Sequence, residues 1–121
     1  EKMKRLVNLH DSDYLRINFD TGNTYVAGWK PQEFLSEVIK KVHHCHVKDV
    51  ATELTEEKRG KETGIASSDV SVGQGVNAKN IIECLKIFKK NNFGGALCIE
   101  CGGEVLSKAS FEWLSKQVKL V

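Results

Sequence analysis

The 121-residue chain is short of single-sign charge, of long apolar runs and of proline, and each shortage removes a class of protein. Its 18 Lys and Arg stand against 16 Asp and Glu for a net charge of +2. The basic residues are scattered among acids rather than massed, so no phosphate-tracking surface and no nucleic-acid partner is expected. No apolar run approaches the ~20 residues of a spanning helix and nothing resembles a signal peptide. No membrane partner is therefore expected, and the expected compartment is the cytoplasm. The single proline, Pro31, stands where it opens a helix rather than breaks one, because its missing N–H costs nothing there. The four cysteines include Cys98-Ile99-Glu100-Cys101, but no second C-x-x-C accompanies it, and in a strand Cys98 and Cys101 point to opposite faces. A structural zinc knuckle is not expected, and the cysteines read as small buried hydrophobes. No repeat, low-complexity stretch or linker interrupts the chain. With 40% hydrophobic and 28% charged residues, 1–121 reads as one ordinary globular domain.

What is present is an alternation of strand and helix signals. Three stretches carry one apolar and one polar face, and each polar face ends in a metal-type ligand: Asp20 in 15–20, His46 in 42–49 and Glu100 in 96–100. Strand side chains alternate between faces, so Arg16, Asn18 and Asp20 share a side, as do His44, His46 and Lys48, and as do Ala96, Cys98 and Glu100. Carboxylate oxygens and an imidazole nitrogen gathered at strand ends suit Mn, Mg, Co or Zn.

Between the strands, Thr21-Gly22-Asn23 reads as a turn. Phe34, Leu35, Val38, Ile39 and Val42 recur at helical spacing after Pro31. A charged loop follows from Ala51 to about Ser68, in which Arg59 is either a solvated charge or part of a lid. A fourth short strand is expected at Asp69-Val70-Ser71-Val72, ending in Gly73-Gln74-Gly75. Asn77 is placed to cap a helix whose Ile81, Ile82, Leu85 and Phe88 form a core stripe. A last helix carries Phe111, Trp113, Leu114 and Val118, and the segment 2–9 reads as the end of an N-terminal helix. Such alternation implies an α/β fold with a parallel sheet, whose chemistry gathers at the carboxyl ends of the strands.

The runs Asn18-Phe19-Asp20-Thr21-Gly22-Asn23, His44-Cys45-His46-Val47-Lys48-Asp49, Val72-Gly73-Gln74-Gly75 and Ala96-Leu97-Cys98-Ile99-Glu100 together resemble the sugar phosphate isomerase/epimerase superfamily, the xylose isomerase-like TIM barrel. The resemblance implies a half barrel, strands five to eight of an eight-stranded fold of ~250 residues. It further implies that Asp20, His46 and Glu100 are metal ligands, that a fourth ligand, a Glu on strand four, falls before Glu1, and that Glu100 is one of two acid/base carboxylates. Lys48, His44 and Asn23 would face a sugar or polyol substrate. The endonuclease IV branch is disfavoured, because Asn23 and Ser67-Ser68-Asp69 stand where its further zinc ligands would be. Taken singly, each site residue has a structural alternative: Asp20 as a cap, the histidines as satisfied interior groups, Glu100 paired with Lys48 or Arg16, and Lys48 as a solvated strand-end lysine. A non-catalytic remnant is the alternative function. A half barrel exposes sheet edges and an inner face, so a homodimer or higher oligomer is expected, and the isolated chain is expected to be inactive.

Overall fold

The computed structural model describes residues 2–9, 12–51, 59–60 and 66–121. In chain order the elements are helix α1 (Lys2–Val7), strand β1 (Ile17–Asp20), helices α2 (Thr21–Val26) and α3 (Pro31–Val38), a 3-10 turn (Ile39–Lys41), strand β2 (Val42–Val47), helix α4 (Ala78–Lys90), strand β3 (Ala96–Ile99) and helix α5 (Gly103–Leu120). The strands form one parallel sheet in the order β1-β2-β3. This is the α/β architecture of a partial TIM barrel.

One face of the sheet is core. Ile17, Phe19, Cys45 and Val47 are buried against Leu35 and Val38 of α3 and Ile81, Cys84, Leu85 and Phe88 of α4. The Phe19 ring stacks with Phe34 at 6.2 Å between centroids and meets Phe88 edge-on at 6.3 Å. The sheet is therefore anchored from both helices through one side chain. The apolar positions of α3 and α4 fall at helical spacing, so each helix can turn a single stripe to the strands. The opposite face carries Asn18, Asp20, His44, His46, Ala96 and Cys98, all half-buried or exposed.

The register slips between Ile17 and Asn18: Ile17 pairs with Val42, but Asn18 pairs with His44. Strict alternation would put Val42 on the His44–His46 side. The extra residue, His43, reverses that parity and lets Val42 enter the core while His44 and His46 remain on the polar face. Helix α3 accordingly stops at Val38, and Val42 belongs to the strand rather than to the helical stripe.

Three further elements depart from expectation. Residues 69–72 form no strand. The Val72 N–H donates to Ser110 Oγ at 2.8 Å, and Gly73 N–H donates to Asp49 Oδ2 at 2.8 Å, so side chains take the donors that a ladder would need. The sheet has three strands among the described residues, not four. The expected turn at Thr21-Gly22-Asn23 is the first turn of α2, capped by the Asp20 carboxylate, which accepts from Asn23 N–H at 2.8 Å. Asn77 precedes α4 but makes no cap bond to it; its side chain points inward and donates to Thr21 O at 2.9 Å. Most of the charged loop lies outside the described residues. Arg59, which is described, sits over the Tyr25 ring at 4.4 Å and donates to Tyr25 O. Among the described residues no helix is long and apolar enough to cross a membrane.

Candidate metal and proton-transfer site

Parallel pairing puts the carboxyl ends of β1, β2 and β3 side by side, with Asp20 opposite His46 and His46 opposite Cys98. The Glu100 N–H extends the ladder by donating to Val47 O at 3.1 Å, which carries Glu100 one step past Cys98 on the same face. His46 Nδ1 lies 2.9 Å from Glu100 Oε2 and 3.9 Å from Asp20 Oδ2. The three expected ligands thus meet, with their ligand atoms within 4.8 Å of one another. Two carboxylates and an imidazole in that space fit a hard or borderline divalent cation.

The hydrogen bonds define the resting state. The Asn18 carboxamide spans both histidines: His44 Nδ1–H donates to its Oδ1 at 2.9 Å, and its Nδ2 donates to His46 Nε2 at 3.3 Å. His46 then carries its proton on Nδ1 and donates it to Glu100. Strand alternation puts Asn18 on this face, but the sequence assigned it no role there. Its only signal was its place two residues before Asp20.

Asp20 is held from below. Its Oδ1 accepts from Asn23 N–H and its Oδ2 from Asn23 Nδ2 at 2.7 Å, while Asn23 Oδ1 accepts from Ala66 N–H at 3.0 Å. Both ends of the Asn23 carboxamide are therefore engaged by protein. Burial raises the Asp20 carboxyl pKa and Glu100 adds to the rise, against the Asn23 N–H, Lys48 and His46, which lower it.

Lys48 is not a solvated strand-end lysine: it is 3% exposed. Its ammonium pairs with Glu100 Oε1 and donates to Ala66 O at 3.3 Å. Gly22 makes this possible, since a Cβ there would stand 2.7 Å from Lys48 Cγ. Thr21 Oγ1 accepts from Lys48 N–H at 2.9 Å and donates to Lys48 O at 2.8 Å, locking the end of β2 to the start of α2. Glu100 is paired with Lys48, as its structural alternative required, and remains in contact with His46. Arg16 instead donates to Ser12 O and Asp13.

Asp49, which sequence reasoning also missed, is fully buried and organises the following loop. Its Oδ1 accepts from Val50 and Asn77 N–H, and its Oδ2 from Gly73 and Gly75 N–H. A Cβ at Gly75 would lie 2.4 Å from Asp49 Oδ1, so that close approach needs glycine. The cysteines divide. Cys45 and Cys84 are buried, and burial pushes both thiol pKa values far up. Cys98 is exposed and Cys101 half-buried, so the buried-hydrophobe expectation fails for Cys98, which stands on the site face of an edge strand. A separate groove lined by Val42, His43, Phe93 and Gly95 lies at the amino ends of the strands and contains neither carboxylate.

The profile of the family described as "Xylose isomerase-like TIM barrel" matches residues 1–117. The chain belongs to that family. It is similar to proteins named inosose dehydratase: 26% identical over 104 residues to that of Clostridium botulinum (strain Eklund 17B / Type B), covering 83% of this chain and 35% of the relative. Against the Clostridium perfringens protein (strain ATCC 13124) the identity is 26% over 125 residues, 100% of this chain and 42% of the relative. Against that of Bacillus anthracis (strain CDC 684) it is 22% over 123 residues, 99% and 41%. The chain spans about two fifths of the length of these relatives.

Proposed function

We propose that this chain supplies the metal-holding and proton-moving end of an enzyme that acts on a sugar or polyol ketone. The observation that carries the reading is the meeting of Asp20, His46 and Glu100 at adjacent strand ends. A divalent cation held there, Mn, Mg, Co or Zn, would polarise the substrate carbonyl and favour loss of a proton from the neighbouring carbon. Glu100 is the group placed to move that proton. Lys48 holds one of its oxygens, which fixes the orientation of the carboxylate. Asn23 keeps Asp20 in position, and His44, whose Nδ1 is taken by Asn18, offers Nε2 to a substrate hydroxyl.

Proton removal beside a ketone begins isomerisation, epimerisation and dehydration alike. Reprotonation at a neighbouring atom or on the other face gives the first two, and expulsion of the next hydroxyl gives the third. Similarity to inosose dehydratases supports a cyclic polyol ketone as substrate and adds dehydration to the isomerase and epimerase outcomes. The four unpaired cysteines support a reducing, cytoplasmic setting. The two edge strands support self-association.

The test is Mn(II) binding by electron paramagnetic resonance, together with solvent-deuterium exchange into an inosose. One Mn(II) should bind the wild type and be lost in Asp20→Asn and His46→Gln. Glu100→Gln should lower exchange by ~10²–10⁴-fold. A wild type that binds no Mn(II), or a wild type with measurable exchange that Glu100→Gln leaves unchanged, would remove the proposal.

A further inference from the structure

Cys98 is the thiol that the proposed chemistry does not use, and its setting is unlike that of the other three. Cys45 and Cys84 lie in the core, and Cys101 Sγ sits against the hydroxyls of Ser107 and Ser110 at 3.6 and 3.5 Å. Cys98 instead stands opposite His46 in the β2–β3 register, on the face that also carries His44. The residue opposite His44 is Ala96, the smallest side chain on this face. Ligand atoms of His44, His46 and Cys98 lie within 4.8 Å of one another.

We propose that His44, His46 and Cys98 form a second, sulfur-containing cation site that takes a borderline or soft divalent metal such as Zn(II) or Co(II). Two imidazoles and a thiolate leave a fourth tetrahedral position for water. Binding replaces the Cys98 S–H proton with the metal and releases that proton to solvent, and no oxidant is involved.

The donor sets separate by softness. Thiolate selects Zn(II) or Co(II), whereas the carboxylates of Asp20 and Glu100 favour Mg(II) or Mn(II). His46 belongs to both sets: Nδ1 faces Glu100, and Nε2 faces the Asn18 amide that also holds His44. A neutral imidazole has one acceptor nitrogen, so His46 serves one cation at a time. The orientation of the Asn18 amide follows whichever nitrogen keeps the proton. Zn(II) at the sulfur site therefore withdraws His46 from the carboxylate site, a consequence that rests on the proposed Mn(II) site.

The experiment titrates the purified, reduced chain with Co(II) and follows the near-ultraviolet absorption. Sulfur-to-cobalt charge transfer appears only if a thiolate is bound, whichever way the Mn(II) measurement falls. The wild type should develop this band and Cys101→Ser should keep it. Cys98→Ser, at an exposed position and checked for fold by circular dichroism, should lose it and bind Zn(II) at least about tenfold more weakly, since losing a ligand costs no less than losing an outer partner. His44→Gln should weaken Co(II) binding with the thiolate band reduced in step. Zn(II) should displace Mn(II) at a lower concentration in the wild type than in Cys98→Ser, where it can compete only at the carboxylate site itself. No charge-transfer band in the wild type, or a band of equal strength in Cys98→Ser, would overturn the sulfur site. Mn(II) binding unchanged by Zn(II) in a wild type that shows the band would overturn the sharing of His46.

Discussion

Replacing Asp49 should unfold the loop that follows β2 and take a large share of the stability with it. Four backbone N–H groups, from Val50, Gly73, Gly75 and Asn77, converge on this carboxylate at 2.8–3.0 Å, and the residue is 0% exposed. Hydrogen bonds to a charged acceptor contribute roughly 1.5–3 kcal/mol each, so four give a gross ~6–12 kcal/mol. Against this stands the cost of burying the carboxylate, several kcal/mol, which the variant regains. The net loss for Asp49→Ala should be about 3–5 kcal/mol, out of roughly 6–18 kcal/mol expected for a chain of this length. Asp49→Asn is the sharper variant because its volume is unchanged. The amide NH₂ that replaces one oxygen would face two donors, from Gly73 and Gly75 or from Val50 and Asn77, and should cost at least about 2 kcal/mol. Urea unfolding followed by circular dichroism measures both. Ser110→Ala, which removes the side-chain acceptor of the Val72 N–H, should cost about 1–3 kcal/mol and calibrates a single contact. An Asp49→Asn variant within about 0.5 kcal/mol of wild type, the range of ordinary surface substitutions, would refute the view that this carboxylate organises the loop.

Thiol titration under native conditions should find Cys98 reacting first and Cys101 next, with Cys45 and Cys84 silent until denaturant is added, because burial raises both of their pKa values and blocks access; rapid native labelling of Cys45 would contradict the core placement. Burial raises the Asp20 pKa, so its contribution to stability is complete below the unfolded carboxyl pKa and is lost as pH rises through the folded value. Asp20→Asn removes that loss, and the stability of the variant relative to wild type should climb from acid to neutral pH; a flat difference in urea unfolding across this range would show that the carboxyl is unperturbed. Edge strands β1 and β3, and the exposed Val105, Phe111 and Val118 of α5, should drive self-association, and sedimentation equilibrium showing only monomer at micromolar concentration would refute this.

Local pattern was enough to bring three ligand-type side chains to one face. Period-two alternation in β1, β2 and β3 placed Asp20, His46 and Glu100 on one face, because strand geometry alone sets which residues share a side. Helical spacing likewise found α3 and α4, since their stripes repeat within a single element. Pattern misled where partners distant in sequence claimed the backbone. Val70-Ser71-Val72 has strand composition, but Ser110 and Asp49, 38 and 24 residues away along their bonds, take the N–H groups of Val72 and Gly73.

Parity was also a tertiary matter. The slip at His43 sends Val42 into the core, and nothing between Ile39 and His44 announces it. Lys48 reads in sequence as either substrate-facing or solvated, yet the fold sets its stem against Gly22 and its ammonium against Glu100. The roles of Asn18 and Asp49 were invisible for the same reason. A carboxamide between two histidines of a neighbouring strand, and a carboxylate beneath four N–H groups of a loop, exist only once the chain has closed on itself. Strand alternation in the sequence therefore put Asp20, His46 and Glu100 at the polar ends of their strands. Tertiary structure decided which of them are buried, paired or held, because hydrogen-bond partners and burial are set by distance in space rather than by distance along the chain.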